Sequence, residues 1–152
     1  MIIIKIFLGV DHQGVKLKDE LIEFGKVNGL EIIPTTLENN ASDDYPDFAY
    51  EVCQNVIKNN ALGVLICGSG IGMSIAANKI AGIRCARVCS VEDAFTSKNH
   101  NGANVIAFSV NLPINEIKEI IMTFVNTDSP TEERHLNRVE KINKIERGEY
   151  EL

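Results

Sequence analysis

Residues 65–79 read LICGSGIGMSIAANK. Gly68, Gly70 and Gly72 stand at alternate positions, and Cys67 immediately precedes them. A glycine loop between a strand and a helix gathers backbone N–H groups into a nest that accepts an anion or a developing oxyanion. Glycine permits the close approach and the positive φ that such a nest needs. A thiol at a strand end beside a helix N-terminus is favoured as thiolate, against an ordinary free-cysteine pKa of about 8.5. A thiolate next to oxyanion donors serves nucleophilic attack or proton abstraction. The plainer alternatives are a tight turn whose glycines only permit packing, and one more buried strand-end cysteine.

The spacing excludes several better-known loops. It is G-x-G-x-G, with Met73 in the place of the third glycine of the dinucleotide fingerprint. Glu92 and Asp93 do follow about 20 residues on, yet a dinucleotide site is disfavoured. No Gly-Lys-Ser/Thr closes the loop as in a Walker motif, and Met73 stands where a Cys-x5-Arg phosphatase loop needs its arginine. Phosphoryl transfer would therefore lack its charge clamp.

Other polar groups invite a role. Asp11-His12 follows the first apolar run, and such a pair otherwise serves as turn and cap residues. Residues 99–101 read NHN, which makes His100 and Asn101 candidates against the reading of a solvated loop. Residues 134–138 read RHLNR, so Arg134 and Arg138 share a helix face. Two guanidinium groups there could clamp a phosphate, or could be a surface pair on a charged helix.

Strand-length apolar runs alternate with amphipathic stretches. Strands are expected at 2–9, 30–35, 62–67, 83–90 and 104–108. Helices are expected over 14–28, after Pro46, over about 72–81 and 92–99, over 114–126 and over about 131–148. Alternation of this kind implies βαβ units. The expected architecture is a single-domain α/β fold over 1–152, an open five-stranded parallel sheet of Rossmann-like order 2-1-3-4-5 with helices on both faces. The order reverses between strands 1 and 3, so the loops carrying Asp11, His12 and CGSGIG open onto one crevice. His100 precedes strand 5 and falls at the opposite end of the sheet, so a second subunit must supply it if it acts there.

Composition narrows the class. The 152 residues carry 15 basic and 21 acidic side chains, a net charge of −6, which argues against a nucleic-acid surface. The basic residues Arg134, Arg138, Lys141, Lys144 and Arg147 alternate with acids and read as a solvated helix face. The apolar N-terminus is broken by Lys5 and is too short for a signal peptide or a membrane span. Cys53, Cys67, Cys85 and Cys89 form no CxxC or zinc-finger spacing and are expected as reduced thiols of a cytoplasmic protein. Cys53, Cys85 and Cys89 read as core fillers.

Five stretches together resemble the ribose/galactose isomerase family, in particular its type-B ribose-5-phosphate isomerases. They are GVDHQGVKLK (9–18), DYPDFA (44–49), LICGSGIGMSIAANKIAGIR (65–84), HNGANVIAF (100–108) and RHLNRVEKI (134–142). The resemblance covers nearly the whole chain in order, and CGSGIGMSIAANK is its most specific part. It implies an open-sheet α/β fold and an aldose–ketose isomerase of sugar phosphates in the pentose phosphate pathway. It also implies no metal or cofactor, and an active site shared across a homodimer, with a tetramer also open. Cys67 matches the family's catalytic base, and His100 matches the group that assists ring opening. Asp11, His12, Gly68, Gly70, Ile71, Gly72 and Asn101 match substrate contacts, and Arg134 and Arg138 match phosphate-binding arginines. Ser69 is placed to hydrogen-bond the sugar or the thiolate. Some members carry a glutamate base at the position of Met73, so this chain resembles the cysteine type. Many carry an arginine where Asn111 stands, and a neutral amide does not replace that charge.

Aldose–ketose isomerisation removes a proton beside a carbonyl and places negative charge on oxygen. Cys67 would move the proton, the loop N–H groups would hold the oxyanion, and His100 would shuttle a proton to the ring oxygen. A six-carbon substrate, galactose 6-phosphate or allose 6-phosphate, would use the same chemistry. A non-catalytic nucleotide- or flavin-binding module would leave Cys67 and His100 unexplained.

Overall fold

The computed structural model describes residues 3–152. Strands β1 (Ile4–Val10), β2 (Leu30–Pro34), β3 (Leu62–Cys67), β4 (Cys85–Arg87) and β5 (Val105–Ser109) form one sheet. All its pairings are parallel. Helices α1 (Val15–Val27), α2 (Tyr45–Asn59), α3 (Ile71–Ala77), α4 (Val91–Asn99), α5 (Ile114–Asn126) and α6 (Glu133–Glu146) connect and follow them. A single 3-10 turn, His12–Gly14, leads into α1. Ile2, where the first strand was expected to begin, lies outside the described residues.

Side chains alternate across the central strands, as the pleat requires. Ile6, Leu8 and Val10 join Val64, Ile66, Ile106 and Phe108 in one apolar cluster, which α1 and α5 cover with Leu21, Ile117, Ile120 and Phe124. Phe7, Leu65, Cys67, Val105 and Ala107 face the other way, against Phe48 and Val52 of α2 and Met73 and Ala77 of α3. Cys67 therefore points to the α2 and α3 side of the sheet.

The helix boundaries follow local chemistry. Pro46 and Asp47 sit in the first turn of α2, where a missing N–H and a negative charge are both favourable. Asn60, with φ +47°, closes that helix in the left-handed region. Ser90 caps α4 by accepting from the Asp93 N–H at 3.1 Å. Lys98 of α4 is buried and donates to the free carbonyls of Phe124 and Val125 at 2.8 and 3.2 Å, which closes the C-terminus of α5.

The strand order is β2-β1-β3-β5-β4, which corrects the expected 2-1-3-4-5. The physical reason lies in the two strands themselves. Val105, Ile106, Ala107 and Phe108 are fully buried, as a strand covered on both faces must be. β4 spans three residues rather than the expected 83–90, ends in the exposed Arg87, and pairs on one side only. A short, charged strand suits a sheet edge. The exchange places Ser109, rather than the end of β4, opposite Cys67. The reversal of order between β1 and β3 stands as expected. α3 is shorter than the expected 72–81. Cys53 is buried, Cys85 is half-buried and Cys89 is exposed, so Cys89 is not a core filler.

Candidate active site

β1 and β3 run side by side with Val10 opposite Ile66, so Asp11 and Cys67 leave the sheet together. The Asp11 N–H donates to the Ile66 carbonyl at 3.2 Å and extends that pairing by one bond. Asp11 is buried, and its carboxylate accepts the Gln13 N–H at 3.0 Å. Burial pushes its carboxyl up, while the Gln13 hydrogen bond and the His12 charge oppose the rise. His12 is bonded to Asp43 through its backbone N–H and Nδ1.

Cys67 is 6% exposed, and its Sγ accepts the Gly70 N–H at 3.2 Å. Ser69 Oγ accepts the Ile71 N–H at 3.1 Å, so in this state the hydroxyl closes the start of α3 and is not bonded to sulfur. The Ser69 carbonyl accepts from Arg87 Nε at 3.0 Å, and the Gly68 carbonyl accepts from Ser109 Oγ at 2.7 Å. The loop is thus pinned from both β4 and β5. Asn111 donates its backbone N–H to the same Ser109 oxygen at 3.0 Å and stands at the rim.

The alternate glycines serve different needs. Gly70 has φ +77°, and a Cβ there would stand 2.7 Å from Phe108 Cα. A Cβ on Gly72 would stand 2.5 Å from the Tyr45 ring, so its absence lets that ring close one wall of the crevice. Gly68 faces the Gln13 side chain.

The remaining candidates lie elsewhere. His100 caps the C-terminus of α4, before β5. The five residues of β5, at about 3.3 Å each, put roughly 13 Å between its start and the Cys67 end of the sheet. The His100 ring stacks on that of His135, with centroids 4.3 Å apart and planes 13° from parallel. Arg134 and Arg138 flank His135 on exposed positions of α6. Asn101 opens into a cavity of about 620 Å³ beside edge strand β4, whose outer wall is Ile142 and Ile145 of α6.

The sequence candidates therefore form two groups within one chain. Asp11, His12 and the 67–72 loop share the switch-point crevice, while His100, Asn101, Arg134 and Arg138 form a second group. Three participants had no role in the sequence reading. Tyr45 lies in DYPDFA and Asp43 immediately before that stretch, but no short-range spacing links them to Gly72 or His12. Gln13 lies inside the quoted GVDHQGVKLK.

A thiol and a glycine turn beyond the strand ends of an open parallel sheet, beside the point where strand order reverses, define an α/β protein. The chain belongs to the Ribose/Galactose Isomerase family, whose model matches residues 6–142. It is similar to ribose-5-phosphate isomerase B of Escherichia coli (strain K12), at 40% identity over 93% of this chain and 96% of that protein. A type B ribose 5-phosphate isomerase structure from Leishmania infantum superposes with a TM-score of 0.90 at 36% identity, covering 98% of this chain and all of the other. The Mycoplasma genitalium ribose-5-phosphate isomerase B structure, with bound ribulose-5-phosphate, gives 0.88 at 35% identity, covering 95% and 97%. No described helix is long and apolar enough to cross a membrane.

Proposed function

We propose that the chain interconverts ribose 5-phosphate and ribulose 5-phosphate through an enediolate, with Cys67 as the base. The observation that carries this reading is the Cys67 sulfur at the switch point, held by the Gly70 N–H, in a chain of this family. The thiolate takes the proton from C2 of the open-chain aldose. The electron pair of that bond forms the C1–C2 double bond, and the C1 carbonyl oxygen becomes the oxyanion. Protonation at C1 by the Cys67 thiol, with transfer of the O2 hydroxyl proton to O1, gives the ketose and restores the thiolate. N–H groups of the 68–72 loop stabilise the oxyanion, where removal of one such donor typically costs about 3 kcal/mol of barrier height.

His100 opens the furanose by carrying a proton from the anomeric hydroxyl to the ring oxygen. Its place at the far end of β5 supports delivery to the crevice of a second subunit, with Asn101, Arg134 and Arg138 beside it. Further support comes from an open edge strand and exposed apolar side chains on the same side. Leu136, Ile142 and Ile145 of α6 are 49%, 43% and 60% exposed. The enzyme is accordingly read as a homodimer with shared sites, and assembly to a tetramer is compatible with it.

Asn111 favours one second reading. It stands in the turn just after β5, bonded to Ser109 beside the glycine loop, without a positive charge, which suits a six-carbon sugar phosphate whose phosphate is held elsewhere. Turnover of ribose 5-phosphate, galactose 6-phosphate and allose 6-phosphate, each in chelator, separates the two. A kcat/KM highest for the pentose supports the first reading, a higher value for a hexose selects the second, and no turnover of any sugar contradicts both.

A further inference from the structure

The Asp43 side chain, in the loop between β2 and α2, is only 5% exposed. Its Oδ1 accepts the His12 backbone N–H at 3.3 Å and lies 2.8 Å from His12 Nδ1. Its Oδ2 accepts the Asn39 amide at 3.2 Å and the Asn40 N–H at 3.3 Å. Asn39 is fixed in turn, because its Oδ1 accepts from Lys18 Nζ at 3.0 Å and its Nδ2 donates to the Val10 carbonyl at 2.9 Å. An ammonium only donates and a carbonyl only accepts, so the amide has one orientation. The chain of bonds runs from α1 through the 39–43 loop to the turn after β1.

An ionised carboxylate only accepts, so the proton between Asp43 and His12 resides on Nδ1. Nε2 is bonded to no described residue, and the His12 side chain is 37% exposed. Burial alone would push the Asp43 carboxyl up, but hydrogen bonds from His12, Asn39 and Asn40 outweigh it and hold it below the ordinary range. The Asp43 hydrogen bond in turn lifts the His12 imidazole above its usual 6.5, burial opposes this, and the charges of Asp43 and Asp11 add to the rise. Asp43 from its loop and Asp11 from the neighbouring position are the charged groups that act on the ring.

We propose that Asp43 is a positioning residue for His12: it pins the ring with Nδ1–H turned inward and leaves Nε2 to donate, when protonated, to the phosphate of a sugar phosphate in the β1–β3 crevice. This rests on the isomerase reading for the identity of the ligand. The donor is proton-gated. Because the folded pKa is raised, the imidazolium persists to higher pH than in a free histidine and is lost as pH rises through a value above 6.5. With neutral Asn111 at the rim, the phosphate leans on this cation more heavily.

The test follows the His12 ring by NMR and sulfate binding by calorimetry, from about pH 5.5 to about pH 8.5, in wild type, Asp43→Asn and His12→Asn. The chain has three histidines, so the resonance missing in His12→Asn identifies His12. Sulfate is used because its own charge is constant over this range. His12 is expected to titrate above 6.5 in wild type and lower in Asp43→Asn. Sulfate affinity should fall with rising pH along the His12 titration, earlier in Asp43→Asn, and lose that dependence in His12→Asn. In Asp43→Asn, the KM for ribose 5-phosphate at neutral pH should rise about tenfold with kcat within about twofold, the scale of one charge-assisted hydrogen bond. An unchanged His12 titration in Asp43→Asn overturns the proposal. So does sulfate affinity in wild type that is flat with pH, or no sulfate binding at all, and these wild-type readings stand even if Asp43→Asn fails to fold. Neither readout depends on turnover, so failure of the isomerase reading is seen separately.

Discussion

The backbone N–H of Gly70 points at the sulfur of Cys67, 3.2 Å away, and the same residue turns the chain into α3 with φ at +77°. The same backbone runs against Phe108, where a Cβ would be 2.7 Å from the Cα. One residue thus supplies both the turn and the donor to sulfur.

Gly70→Ala tests that dual role. The left-handed φ and the Phe108 contact should destabilise the fold by about 1–3 kcal/mol. Displacement of the N–H should lower kcat by about a hundredfold in the protein that remains folded, the loss typical of one oxyanion-type donor. A denaturant melt and a kcat measured below the transition check both. Wild-type kcat in stably folded Gly70→Ala would remove the donor from the account.

A shared site predicts complementation. Cys67→Ala and His100→Ala chains should each be inactive as homodimers. After unfolding and refolding together, hybrids should carry one site with both defects and one with neither. Activity should return to about a quarter of the wild-type rate per chain, from random pairing of two variants into dimers. Confirmed exchange with no recovered turnover would place both residues in one chain's site.

His135 gives the fold a pH signature. Burial holds its imidazole below 6.5, and the charges of His100 and Arg134 push the same way. The unfolded chain therefore binds more protons at this residue over the window just below 6.5, and stability rises with pH across it. His12 has the opposite sign, so the whole-protein profile mixes the two. The difference between wild type and His135→Phe isolates the first. The melting temperature of wild type relative to His135→Phe should climb as pH is raised through this window and then level off. A difference that is constant or falls with rising pH contradicts the assignment.

Much of this was legible in the sequence because the controlling interactions are local. The apolar runs of β1, β3 and β5, the glycine turn after Cys67 and the α6 spacing of Arg134 and Arg138 all follow from neighbouring residues. The order of β4 and β5 does not, since which strand takes the centre depends on how both faces are covered. Arg84 and Arg87 in the fourth run, against VIAF in the fifth, were the available signal. Asp43 reaches His12 across 31 positions, and His135 stacks on His100 from another helix. Such pairs are set by tertiary packing, and no periodicity announces them. The family resemblance joined the Cys67 and His100 groups into one reading, and the topology sets the two groups at opposite ends of β5 within one chain.

The most direct test of the central claim compares wild type with Cys67→Ala for ribose 5-phosphate turnover and for binding of the same sugar phosphate under non-turnover conditions. The account predicts that turnover disappears while binding survives within a few-fold, because the thiol moves the proton and other groups hold the phosphate. Turnover retained in Cys67→Ala would contradict it and assign the base to another residue.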